Sequence, residues 1–189
     1  MSHPATKLAD FLSSRKKVIL RRWFESIIET YPPDTARFLK KEPDRFANPV
    51  GRTVLEGTGA IFDQLLQGLK AGESSTFLDN IIRIRAIQDF SPSQAVAFVF
   101  SLKKIIRQEL ESEIWESGLH DELVDLESSL DELALLAFDI YVGCREKLAD
   151  IRVKEMRTRT DRILARLNDR YGRPEQEPEL SEAQADGPI

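Results

Sequence analysis

Residues 121–171 read DELVDLESSLDELALLAFDIYVGCREKLADIRVKEMRTRTDRILARLNDRY, and the spacing of their apolar residues decides the fold class. Leu123, Leu126, Leu130, Leu133, Ala137, Ile140, Cys144 and Ile151 recur every three or four residues, the pattern by which one helix buries a seam against others. No Gly-Pro pair punctuates the run, so the spacing predicts one helix from Asp121 to about Tyr171. Its job changes halfway. From Ile151 onward the apolar residues thin to Val153, Met156, Ile163, Leu164, Leu167 and Tyr171 among Arg, Lys and Asp, which leaves only a narrow stripe to bury. At ~1.5 Å rise per residue the helix would run on the order of 75 Å, longer than a domain of this size is wide, so its second half is expected to project.

Upstream, each segment carries a helical period and its own punctuation. Leu8, Phe11, Leu12, Ile19, Leu20, Trp23, Phe24, Ile27 and Ile28 predict a helix over about 6–30, with a dip at Ser13 and Ser14 that could split it. Tyr31-Pro32-Pro33-Asp34 ends it, because proline removes a donor and biases its predecessor away from helix; Asp34 is expected to cap a short helix through Leu39. After a loop over 41–49, Asn48-Pro49 opens a helix to about Lys70, closed by Ala71-Gly72. Gly57 and Gly59 lie inside it at a cost of ~1 kcal/mol each against alanine, which points to close helix-helix approach rather than a phosphate loop. A further helix covers 74–89. Ser91-Pro92 then starts another to about Trp115, whose AVAFVF at 95–100 is apolar all round and suits a buried central helix. Ser117-Gly118 ends it. Strand alternation is nowhere convincing, so the class is all-α, a multi-helix bundle.

Composition narrows the function. With 189 residues and 41% apolar content the chain builds one core, and its net charge of -5 argues against nucleic acid as the main partner. The lone Cys144 rules out an intramolecular disulfide and fits a reducing compartment. No apolar run approaches the ~20 residues that span a bilayer, and the N-terminus lacks a secretory signal. A cytoplasmic protein without stable membrane insertion is expected. The basic face of Arg15, Lys16, Lys17, Arg21 and Arg22 reads as a solvated helix face. The chain divides into a helical body over 1–150, a projecting signalling helix over 151–171 and an acidic tail over 172–189, too poor in apolar residues to order itself.

Chemistry-bearing motifs are few. His3 and His120 are the only histidines, and neither a Cys/His metal cluster, a Glu-x-x-His pair, a P-loop nor a nucleophile elbow is present. No cofactor or metal and no enzymatic activity are expected. Two polar groups interrupt apolar segments: Arg83, Arg85, Gln88 and Asp89 in IIRIRAIQDF, and Asp139, Tyr141, Cys144 and Arg145 in FDIYVGCREK. Charges on a buried helix are costly unless paired, so Arg83 or Arg85 is expected to meet Asp139. Such a pair either fixes helix register or anchors a small signal molecule in a pocket among Phe90, Phe98, Phe138 and Tyr141, with Arg85 and Asp139 as its polar groups. Cys144 reads as a small buried hydrophobe. The final helix is basic, with Arg152, Lys154, Arg157, Arg159, Arg162 and Arg166, and finds its counter-charge in the acidic tail or a partner.

Three runs carry a family signal: YPPDTARFLKKEPDRFANPVG at 31–51, IIRIRAIQDFSPSQAVAFVFSLK at 81–103 and LALLAFDIYVGCREKLADIRVKE at 133–155. In that order and spacing the chain resembles the N-terminal domain of the RsbT co-antagonist (RsbRD-type) family, over roughly Leu8 to Arg166. The resemblance implies a cytoplasmic, helical sensory or regulatory module, globin-like but haem-free, dimerised and joined by a long helix to a STAS output domain that contacts a switch kinase. Haem is disfavoured here because His120 precedes the long helix and no other candidate proximal histidine exists. No STAS domain is expected after Tyr171. The expectation is a non-enzymatic regulatory module that forms a homodimer and meets a protein partner through the last helix, with Ile151, Met156, Ile163 and Leu167 on the contacting stripe. The alternative is a small-molecule sensor with an apolar pocket between helices.

Overall fold

The three-to-four-residue periods do become helices. The computed structural model describes residues 7–41, 46–68 and 76–172, and over these the order is α1 (Lys7–Ile28), α2 (Pro33–Lys41), α3 (Pro49–Leu66), α4 (Thr76–Ile87), α5 (Pro92–Glu109), α6 (Glu111–Ser117) and α7 (His120–Tyr171). Among the described residues there is no strand. The chain forms two units, residues 1–147 and 148–189.

In the first unit α1 packs on α3 and α5, and α4 on the same two helices. Ile19, Trp23, Ile27 and Ile28 bury the inner face of α1, while the Trp23 indole donates to the Phe98 carbonyl at 2.8 Å and so satisfies its one polar atom inside the core. The serine dip does not split α1, and within the helix Ser14 returns its hydroxyl to the Phe11 carbonyl at 2.7 Å. Asp34 is not a cap. Pro33 already begins α2, which places Asp34 in its first turn, where its charge suits the helix N-terminus. Asn48 opens α3 as expected, accepting from Gly51 N at 2.8 Å and donating to the Leu39 carbonyl at 3.0 Å. α3 stops at Leu66; the predicted stop at Ala71-Gly72 lies outside the described residues.

Ser91 and Gln94 form a reciprocal capping box at the start of α5. The helix predicted to run on to Trp115 breaks at Leu110, whose backbone (φ -122°) leaves the helical range. No glycine or proline marks the spot: Leu110, Ile114 and Leu119 are all buried, so the shape of the core sets the break rather than local propensity. AVAFVF is one-sided. Ala95, Val96, Phe98 and Val99 are buried, but Ala97 and Phe100 face solvent, which corrects the expectation of a helix enclosed on all sides. Gly118, at φ 65°, ends α6 in the left-handed conformation that glycine adopts without penalty. α7 then buries Leu123, Leu130, Leu133, Ala134, Ala137, Tyr141 and Cys144. Polar links fasten it: Lys103 to Asp131 at 2.6 Å, Arg107 to both oxygens of Glu127, and the Leu8 amide to Glu122 Oε2 at 2.8 Å.

The second unit continues α7 to Tyr171, and every residue from Ala149 to Gly172 is exposed. Thr158 and Thr160 return their hydroxyls to the Lys154 and Met156 carbonyls. The acidic tail lies outside the described residues. No helix among the described residues is long and apolar enough to cross a membrane.

Candidate functional site

On α4, Leu78, Ile81, Ile82, Arg85 and Ala86 are buried at helical spacing, so a guanidinium occupies a core position. Arg85 is 0% exposed. Its Nη2 donates to Thr30 Oγ1 at 3.0 Å and to the Gln94 carbonyl at 3.1 Å, while Nε and Nη1 have no partner. The Arg85 Cζ lies 4.2 Å from the Phe90 ring centroid and 5.9 Å from those of Tyr31 and Phe98. Among the described residues no carboxylate stands within ion-pair distance of it. Burial pushes the Arg85 pKa down, yet a guanidinium stays charged at neutral pH. Ring faces offset part of the cost of burying that charge, about 2 kcal/mol for a desolvated contact, against several for the desolvation itself.

Beside this cation opens a cleft of about 350 Å³ lined by Tyr31, Pro32, Thr35, Gln88, Asp89, Phe90 and Gln94. Phe90 belongs to both, lining the cleft and covering the guanidinium. Tyr31 meets Phe90 edge-on, 5.1 Å between centroids, and its hydroxyl donates to Gln88 Oε1 at 2.9 Å. Burial raises the Tyr31 pKa, with the nearby Arg85 charge opposing.

The two polar groups singled out in the sequence do meet, but not in the predicted pairing. Arg145 Nη1 reaches Asp89 Oδ1 at 3.1 Å and the Ala86 carbonyl at 3.2 Å, and the Tyr141 hydroxyl donates to the Phe90 carbonyl at 2.5 Å. The arginine of α7 therefore meets the aspartate after α4, the reverse of the expected arrangement. Arg83 instead pairs with Asp79 on the exposed face of α4, and Arg85 takes no acid. The reason is angular: residues two apart on a helix lie about 200° from each other, so Arg83 and Arg85 cannot both face the core, and neither can Asp139 once Ala137 and Tyr141 do. Asp139 is exposed, and Phe138, 45% exposed, is no part of a closed pocket. Thr30, Tyr31 and Gln94 were missed. A buried arginine demands acceptors, but nothing in the spacing says which distant residues supply them.

The loop from Gln88 to Phe90 is thus tied to α7 at two points, and Asp89 holds a left-handed backbone (φ 58°) that a non-glycine residue seldom adopts. Among the described residues no cluster of His, Cys, Asp and Glu could hold a metal ion. His120 packs edge-on against Trp115.

A second candidate surface lies on the exposed part of α7. Val153, Met156, Ile163 and Leu167 share one stripe, with Thr160 between them and Arg152, Arg157, Arg159 and Arg166 along its margins. Ile151 falls out of step. It sits about 200° from Val153 around the helix, so Val153 takes the place the sequence reading gave to Ile151.

Comparison with curated proteins and with solved structures finds no match. The family model described as the RsbT co-antagonist protein RsbRD N-terminal domain matches residues 17–156, taking in the second half of α1, all of α2 to α6 and α7 as far as Met156. The chain therefore belongs to the RsbRD N-terminal domain family of RsbT co-antagonist proteins, which implies a regulatory signalling domain.

Proposed function

We propose that the protein is a non-enzymatic regulatory module that works through protein contacts made by the C-terminal part of α7. The observation that carries this reading is the stripe of Val153, Met156, Ile163 and Leu167, all exposed and spaced as a helix-pairing seam. Its margins favour an acidic partner. Arg152, Arg157, Arg159 and Arg166 would stand opposite Glu or Asp of an amphipathic helix laid into the seam.

A homodimer is the second reading, favoured by the same spacing. Two copies paired along the seam bring arginine to arginine, so the two readings respond oppositely to salt. A designed helical peptide with leucine at the seam positions and glutamate at the margins should bind the full chain, and bind more weakly as salt rises. Self-association by light scattering should instead strengthen with salt. Ile163→Glu combined with Leu167→Glu should abolish both. A chain that stays monomeric at micromolar concentration in high salt and ignores the acidic peptide sinks the proposal.

A further inference from the structure

Arg85 is a problem the fold does not solve by itself. A fully buried guanidinium leaves two of its nitrogens, and so three N–H donors, unused, and its compensation is a hydroxyl, a carbonyl and three aromatic faces. Buried donors are nearly always satisfied, and a buried charge normally has its counter-ion. Three of the groups packed around it, Tyr31, Phe90 and Gln94, also line the open cleft, and the Phe90 ring is the nearest of the three aromatic faces to the guanidinium.

We infer that this cleft is the mouth of a binding site for a small oxyanion, the carboxylate of an organic acid, with Arg85 as its charge and Phe90 as the cover that turns aside to admit it. An oxyanion oxygen placed on Nε or Nη1 would satisfy a donor that has no partner and neutralise a charge that has none, in a low-dielectric setting where charge-assisted hydrogen bonds are strong. The cleft is shallow and open to solvent, so it serves as an approach in which Tyr31, Pro32 and Phe90 offer apolar surface to the ligand's body, with Gln88 and Gln94 also lining it. A single carboxylate matches a single guanidinium, whereas free phosphate brings more charge beside Asp89 and no apolar body. Asp89 itself is occupied by Arg145, which leaves Arg85 as the receptor. The main chain beneath the ring is held to α7, the Phe90 carbonyl by Tyr141 and the Asp89 carboxylate by Arg145, so the ring rather than the backbone is the part that turns.

The test titrates the full chain with benzoate, acetate and inorganic phosphate at matched ionic strength, following thermal stability and the Nε–H resonance of Arg85 in a ¹H–¹⁵N spectrum. The expected result is a saturable rise in Tm with benzoate, a smaller one with acetate, and a shift of the Arg85 resonance with the same midpoint. Arg85→Lys should weaken benzoate by about tenfold or more, since fewer and less directed donors remain. Arg85→Met should melt higher than the parent without ligand and lose the response, because a buried unpaired charge is removed. Phe90→Ala should bind faster and keep the Arg85 dependence. Phosphate outperforming benzoate would overturn the organic-acid assignment in favour of free phosphate. No saturable change in the Arg85 resonance with any of the three, in the parent or in Phe90→Ala, overturns the site, and that readout stands even where an Arg85 variant fails to fold.

Discussion

Two glycines on α3 show how much a single methyl group depends on where it points. A Cβ on Gly57 would stand 2.7 Å from Ile81 Cδ1 and 3.1 Å from its Cγ1, and Ile81 is fully buried between α3 and α4; a Cβ on Gly59 meets nothing within 4 Å. Gly59→Ala should therefore raise stability by about 1 kcal/mol through helix propensity and the less flexible unfolded chain. Gly57→Ala should gain the same propensity and lose more to overpacking, typically ~1–3 kcal/mol, and fall below the parent in urea denaturation. At Asn48 one side chain serves two elements, capping α3 and holding the last buried carbonyl of α2. Asn48→Ala should cost about 2 kcal/mol, more than an exposed cap, because the Leu39 carbonyl loses a partner as well.

Between elements, α7 is fastened to α5 by a pair whose strength depends on pH. The Arg107 hydrogen bond holds the Glu127 carboxyl below its ordinary value of 4.5, with burial opposing. A depressed carboxylate contributes its stability in full above 4.5 and loses it as pH falls through the lower, folded value. Thermal melts from pH 6 downward should thus show Tm falling below about pH 4.5, with a gentler fall in Glu127→Gln; equal slopes would assign the acid sensitivity elsewhere. The helices were legible because period and caps are local: the Ser91 capping box and the Asn48 start need only neighbouring residues. The break at Leu110 was not legible, since it follows from where Leu110, Ile114 and Leu119 must all be buried at once. The site divides the same way. Arg85, Asp89, Tyr141 and Arg145 stood out as polar residues in apolar runs, but their partners are fixed by which residue faces inward on each helix, and a two-residue offset reverses the answer.

For the molecule as a whole, the buried set ends at Cys144. Among the described residues the first unit therefore holds every buried one, and a chain ended at Lys147 should fold as a monomer and melt within a few degrees of the parent. A large loss of Tm would mean that residues beyond 147 stabilise the body in ways their exposure does not reveal. The capacity to bind the acidic peptide should go with the truncation, while the benzoate response should remain.

That separation has a consequence for tolerance to mutation. A library scored by cellular abundance should find positions 149–171 almost silent, since polar replacement of an exposed side chain leaves no void and strands no donor, and even proline should cost little where the body folds without the segment. Scored by the output of the pathway the protein serves, the same library should light up at Val153, Met156, Ile163 and Leu167. The distance between the two maps would mark, residue by residue, the part of this chain kept by natural selection for the sake of another molecule.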